Sequence, residues 1–311
     1  MLRILVSGAS GLIGKAIVSS LEQQGDAVCR LVRRLPESEN EVQWDPIREI
    51  PPELVSGYDA VIHLSGERVA GRWTAKKKIK IRDSRVVSTR NLASAVVKCG
   101  KPPHIFICAS AIGYYGGRGD EILTEESASG TGFLPDVCRQ WESAAESAAK
   151  AGIRVVNLRF GIVLSPSGGA LKQMLLPFRL GLGGRIGSGR QWWSWIHIED
   201  AVRAVLSLVG RGVSTGGDAR PPTTKISAIS GPVNLTSPNP MRNAEFTREL
   251  AAAVKRPALL PVPTLAARLA FGEFADEGLL ASARVAPKKL LESGFEFQYP
   301  ELGMALAQLL T

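Results

Sequence analysis

The sequence is poor in the residues that bind metals or cross-link a chain. Of 311 residues only four are cysteine (Cys29, Cys99, Cys108 and Cys138) and three histidine (His63, His104 and His197). No two cysteines form a Cys-x-x-Cys pair, so zinc-ribbon and thioredoxin-type motifs are excluded, and three scattered histidines give a multi-histidine metal site no basis. No apolar run of about 18 residues or more occurs, so no membrane-spanning helix and no membrane partner are expected. The N-terminus lacks the pattern of a secretory signal, because a strand-like run starts at Leu2. With free thiols, that leads to the expectation of a reducing, cytoplasmic setting. Acidic residues are in deficit, 29 against 38 basic ones, for a net charge of +9. Such a balance suits an anionic partner, but no nucleic-acid recognition motif is present, so a small anionic molecule is the expectation. The oligomeric state is not legible.

What the chain does have is strand–helix alternation. Residues 2–7 are a short apolar run suited to a buried parallel strand. A glycine-rich turn follows, then an amphipathic stretch from about Lys15 to Gln24 that stops at Gly25. Strands are expected at 27–32, 59–65, 104–110, 153–158, 192–198 and 232–236, with helices at 73–98, 134–151 and 199–209. Strands alternating with helices imply an α/β fold, a doubly wound parallel sheet of Rossmann type. Residues 210–231, rich in Gly, Pro, Ser and Thr, read as a mobile surface loop or insertion. From Asn243 the chain turns into helices punctuated by proline. The expected division is therefore a nucleotide-binding domain over 1–236 and a small, mostly helical lobe on the substrate side over 237–311.

The turn reads Gly8-Ala9-Ser10-Gly11-Leu12-Ile13-Gly14. Missing side chains let a backbone turn tightly and approach a pyrophosphate, which rests on the helix N-terminus. At the end of the second strand an NAD site would place an acid. Here stand Arg33 and Arg34, two guanidiniums that suit a 2′-phosphate, so NADP is the expected cofactor. A basic stretch from Arg72 to Arg85 could add one or two phosphate contacts. In the run Trp192-Trp193-Ser194-Trp195-Ile196-His197, strand alternation sends Trp193, Trp195 and His197 to one face. Asp200 is expected to cap the helix that follows.

These residues resemble the extended short-chain dehydrogenase/reductases. The resemblance rests on the glycine turn, on His63-Leu64-Ser65-Gly66, and on Ala109-Ser110 followed by Tyr115-Gly116. It extends to an atypical branch known as the epimerase family through Arg72-Trp73, Asp83-Ser84-Arg85, Trp141-Glu142, 176–184, Gly187-Ser188-Gly189 and Trp195-Ile196-His197-Ile198. The tail resembles that branch's small C-terminal domain of unknown function, in Asn243-Ala244-Glu245-Phe246 and Pro287-Lys288-Lys289. The resemblance implies cofactor contacts from Gly8, Ser10, Gly11, Leu12, Ile13, Gly14, Leu64, Ser65, Lys80, Arg85 and Val163, besides Arg33 and Arg34. It implies hydride chemistry on a small polar or sugar-nucleotide-like substrate.

One departure stands out. The family places a Tyr-x-x-x-Lys pair on one helix face, where the lysine lowers the phenol's pKa. Four residues after Tyr58, Tyr114, Tyr115 and Tyr299 stand Ile62, Arg118, Gly119 and Gly303, none of them lysine. At the pair's positions the chain has Cys138 and Glu142. Ser110, Tyr115 and Glu142 are the candidates left for proton chemistry. A non-catalytic NADP-binding sensor or scaffold is the alternative reading.

Overall fold

A computed structural model describes residues 1–215, 218–220 and 224–311. Its centre is a seven-stranded, all-parallel sheet: β1 (Arg3–Ser7), β2 (Ala27–Val32), β3 (Glu41–Gln43), β4 (Ala60–His63), β5 (Ile105–Ala111), β6 (Arg154–Phe160) and β7 (Gly231–Leu235). The spatial order is β7-β6-β5-β4-β1-β2-β3. The direction of winding reverses beside β1, between β4 and β2. Crevices for ligands form outside the carboxyl ends of strands at such a reversal.

The central strands β1, β4, β5 and β6 bury both faces, as a parallel sheet covered by helices requires. Ile4, Val6, Ile62, Ile107 and Val156 join one core with α1 (Leu12–Gln23) and α6 (Ile198–Leu208). Their neighbours Leu5, Val61, Phe106, Cys108 and Val155 join the other core with α2 (Ala75–Lys98). This period-two split is why the strands read as unbroken apolar runs. A third core, built on Trp193, Trp195, Phe246, Leu250 and Leu306, binds the C-terminal helices to the α5 helix (Gly169–Arg179). Two further crossings tie the tail down: Met241–Arg242 pairs with Trp192–Trp193, and Arg284–Val285 with Ile122–Leu123.

Several expectations change in detail. The helix expected over 134–151 is two helices, α3 (Phe133–Ser143) and α4 (Glu146–Lys150), with the chain turning through Ala144 and Ala145. The strand expected over 192–198 breaks at Ser194, whose hydroxyl donates to the Ala283 carbonyl and accepts from the Val285 N–H. Asp200 does not cap α6. His197 does, accepting from the Glu199 N–H, while the fully buried Asp200 carboxylate accepts the N–H groups of Gln298 and Tyr299. Within 210–231 the described residues include a two-stranded hairpin, Val213–Thr215 with Asp218–Arg220, a helical turn at Thr224–Ser227 and the start of β7 at Gly231; residues 216–217 and 221–223 fall outside the described residues.

Candidate functional site

The glycine turn closes against the end of β4. Gly8 has φ +73°, and a Cβ there would sit 2.7 Å from the Leu64 carbonyl carbon. A Cβ on Gly14 would overlap the Gly8 carbonyl oxygen. Both positions therefore demand glycine, one for backbone conformation and close approach, the other for packing α1 onto the turn. The α1 N-terminus has no side-chain cap and no acid in its first turn. Its free N–H groups and positive dipole end are left facing the crevice.

Two cavities meet on this turn, sharing Gly8, Gly11 and Leu64 in their walls. The first, about 910 Å³, takes in Ser10, Arg33, Arg34 and Ser65. The second, about 550 Å³, takes in Leu12, Ile13, Gly14, Arg85, Ser110, Cys138 and Val163. A continuous trench thus runs over the turn from the arginines to Ser110, a shape that fits a dinucleotide. Lys80 is exposed on α2 and lines neither cavity. Arg85 turns inward, donating to the Ile81 and Glu67 carbonyls and stacking on Trp141 at 5.1 Å.

The two arginines are not equivalent. Arg34 is held bidentately by Glu41, at 2.8 Å to each oxygen, and also lies 3.2 Å from Glu37. Arg33 is exposed and, among the described residues, makes no ion pair. Both line the same cavity, Arg34 with its guanidinium engaged by Glu41 and Arg33 with its own turned to no carboxylate of the described residues. The acid opposite Arg34 comes from β3, a three-residue strand that sequence pattern did not reveal.

At the other end, Ser110 donates to Glu142 Oε1 at 2.6 Å. Arg159 on β6 grips the same carboxylate with two bonds of 2.8 Å. Its third nitrogen donates to the Tyr115 hydroxyl at 2.9 Å, and the guanidinium lies 3.5 Å over the Tyr114 ring. Tyr115 is fully buried and lines neither cavity. Its hydroxyl also lies 2.9 Å from the Thr124 carbonyl and 2.7 Å from Asn234 Oδ1. Burial pushes the phenol up to about 12. The expectation that Tyr115 faces substrate conflicts with this placement: the ring points into a polar network beneath the trench. Cys138 does face the cavity, and burial, with the Glu142 charge beside it, pushes its thiol up to about 12. Glu142 faces away, into a separate cavity beside Asn157 and Arg154.

The C-terminal segment supplies part of the wall. Glu277, Gly278, Ala281 and Ala283 line the cavity that holds Ser110. The Glu277 carboxylate accepts the N–H groups of Phe133 and Leu134 at 3.0 and 2.7 Å, capping α3 from outside. The aromatic wall is Trp192 and Trp193. Trp195 is core, and His197 packs on Tyr299 at 4.0 Å. Arg159, Glu277 and Glu41 were all missed by sequence reading. Each acts across more than 100 residues or on an element too short to carry a pattern, except Glu142–Arg159, which spans two regular elements.

Comparison with known proteins gives a consistent result. The model of the NAD dependent epimerase/dehydratase family matches residues 4–218, and that of a domain of unknown function (DUF1731) matches 262–309. An epimerase family protein of Mycobacterium bovis is 44% identical over 97% of this chain and 96% of its own. An epimerase family protein of Bacillus subtilis is 36% identical over 99% of this chain and 98% of its own. The crystal structure of a human epimerase family protein with NADPH superposes with a TM-score of 0.86, at 31% identity, covering 99% of both chains.

Proposed function

The chain belongs to the NAD-dependent epimerase/dehydratase family, and from that premise we propose that it is an NADP(H)-dependent oxidoreductase or epimerase of a small polar or sugar-nucleotide-like substrate. Ser110 and Glu142 do its proton work. The observation that carries this reading is the trench, continuous from Arg33 to Ser110 through Gly8, Gly11 and Leu64 and ending in an open cavity.

Bound nicotinamide would supply or accept hydride. The backbone of the glycine turn and the first turn of α1 hold the pyrophosphate, and Arg33 offers its guanidinium to a 2′-phosphate. The human relative's structure with NADPH supports the choice of NADP. Ser110 hydrogen-bonds the reacting oxygen of the substrate. In the oxidising direction that oxygen's proton passes to Ser110 Oγ as Ser110 passes its own to Glu142 Oε1; in reduction the order reverses. Arg159 fixes the carboxylate so that one oxygen always faces Ser110. Cys138, kept as a thiol, adds no charge to the cavity.

A non-catalytic sensor is the second reading, favoured by the missing Tyr-x-x-x-Lys pair. The two are separated by incubating the purified protein and NADPH with the small-molecule fraction of a cell extract, following NADPH consumption and mass changes. The enzyme reading expects consumption that Ser110→Ala abolishes while NADPH still binds. Consumption unchanged in Ser110→Ala removes the serine from the mechanism. No consumption by either protein, with NADPH bound, supports the sensor.

A further inference from the structure

Two stretches of the chain carry no acidic residue at all, 147–198 and 250–272. Around the junction of the two, over 172–190 and 255–268, lie seven exposed cations: Lys172, Arg179, Arg185, Arg190, Lys255, Arg256 and Arg268. Among these seven, only Arg268 has a carboxylate of the described residues in ion-pair range, that of Asp276. The same stretches expose leucines, Leu176 at 66%, Leu180 at 63%, Leu182 at 57%, Leu259 at 80%, Leu260 at 55%, Leu265 at 68% and Leu269 at 66%. Scattered exposed leucines are ordinary, but seven confined to two acid-free segments are a patch that calls for an occupant.

The two stretches adjoin in space. Gly184 packs so closely on the Leu260 carbonyl that a Cβ there would overlap it. The Val262 N–H donates to the Arg185 carbonyl, the Gly187 N–H to the Val262 carbonyl, and Arg256 Nε to the Arg179 carbonyl. Leu176 on α5 and Leu180 at its C-cap are one turn apart, and Leu265 and Leu269 are one turn apart on the helix Thr264–Phe271, whose Ala267 is buried instead. Each helix therefore presents a leucine edge outward while its other side enters the core.

We propose that this leucine patch with its basic surround is a docking surface for an anionic lipid bilayer. Apolar side chains displayed on a folded surface and flanked mainly by positive charge match the boundary between acidic headgroups and acyl chains. A basic surface would be repelled by these cations, and the same patch on a second copy would set six unpaired cations against their like. The inference is independent of the reaction proposed above.

The test is vesicle flotation of the full-length protein, using phosphatidylcholine vesicles with and without phosphatidylglycerol. The expected result is flotation with the phosphatidylglycerol vesicles only, weakened by raised salt. Leu180→Ser with Leu259→Ser should cut binding roughly tenfold or more, and Arg179→Glu with Arg256→Glu should do the same. Unchanged thermal melting and NADPH binding show that both variants are folded. Absence of flotation overturns the proposal. So does flotation that survives the leucine substitutions, which would be attraction by net charge alone. Light scattering that finds a dimer, converted to monomer by the leucine substitutions and unaffected by vesicles, overturns it in favour of self-association.

Discussion

Ser110 and Glu142 sit 2.6 Å apart yet face opposite ways, the serine into the trench and the carboxylate into a separate cavity behind it. A proton taken up at the substrate therefore has a path to a carboxylate that lies outside the trench. If this pair replaces the tyrosine of the wider family, Ser110→Ala should lower kcat and kcat/KM together by about 10²–10⁴-fold, the contribution of general acid–base assistance. NADPH affinity should stay as it is, which a fluorescence titration checks.

Glu142→Gln is expected to do more than that. It leaves Arg159, whose side chain is 3% exposed, without its carboxylate. Breaking a buried pair from one side costs about 3–5 kcal/mol. Urea unfolding should show this loss, whereas Ser110→Ala should cost only about 1 kcal/mol. Equal losses in the two variants would show that the Arg159 pair does not hold the site together.

Tyr115→Phe separates a structural phenol from a catalytic one. Its hydroxyl is bonded to Arg159 and lies beside Thr124 and Asn234, all away from the cavity. The account expects a stability loss of about 1–3 kcal/mol, from leaving buried partners unsatisfied, with turnover falling far less than in Ser110→Ala. A large fall in turnover at full stability would return Tyr115 to the reaction.

The glycine turn makes a sharper demand. Gly14→Ala puts a methyl into the Gly8 carbonyl oxygen, so the turn must open or α1 must shift. NADPH affinity should drop at least tenfold, about 1.4 kcal/mol, as read by the same titration.

Acid should reveal the buried histidine at the end of β4. His63 is fully buried between Ser7 Oγ (2.6 Å from Nδ1) and Ser88 Oγ (3.1 Å from Nε2), and burial lowers it to about 3. Its folded value lies below the unfolded one, so the unfolded chain binds the extra proton and stability falls as pH drops below about 6.5. The slope from this one group approaches about 1.4 kcal/mol per pH unit. Urea titrations between about pH 6.5 and 4.5 should show His63→Asn with a shallower slope than the parent. Parallel slopes would mean that His63 already titrates in the folded protein.

The sequence foretold the parts of this molecule that depend on local pattern. The first strand, the turn and α1 were readable because Ile4, Val6, Ile17 and Leu21 keep strand and helix periods and because three glycines mark the turn. The parallel sheet followed from alternation alone. What escaped depends on contact across distance. Glu41 lies on a strand of three residues and reaches Arg34 only once β2 and β3 pair. Glu277 caps α3 from 143 residues away, and nothing at Gly132 announces it. Asp200 stands where a cap is expected, but the His197 ring performs that role one position before the helix, leaving the carboxylate to hold residues 298 and 299. Alternation held across the break at Ser194: Trp193 and Trp195 enter one core, where His197 meets Tyr299, while Trp192 and Ser194 line the cavity and Ile196 joins the sheet core.

The central claim, an NADP(H) site ended by one open guanidinium, is tested most directly by titrating the purified protein with NADPH and NADH in parallel with its Arg33→Ala variant. The charge-assisted contact of Arg33 is worth about 1.5–3 kcal/mol, roughly tenfold or more in affinity. The account predicts NADPH tighter than NADH by at least that factor, with Arg33→Ala erasing most of the difference. Equal affinities in the parent protein, or a preference untouched by the substitution, would contradict it.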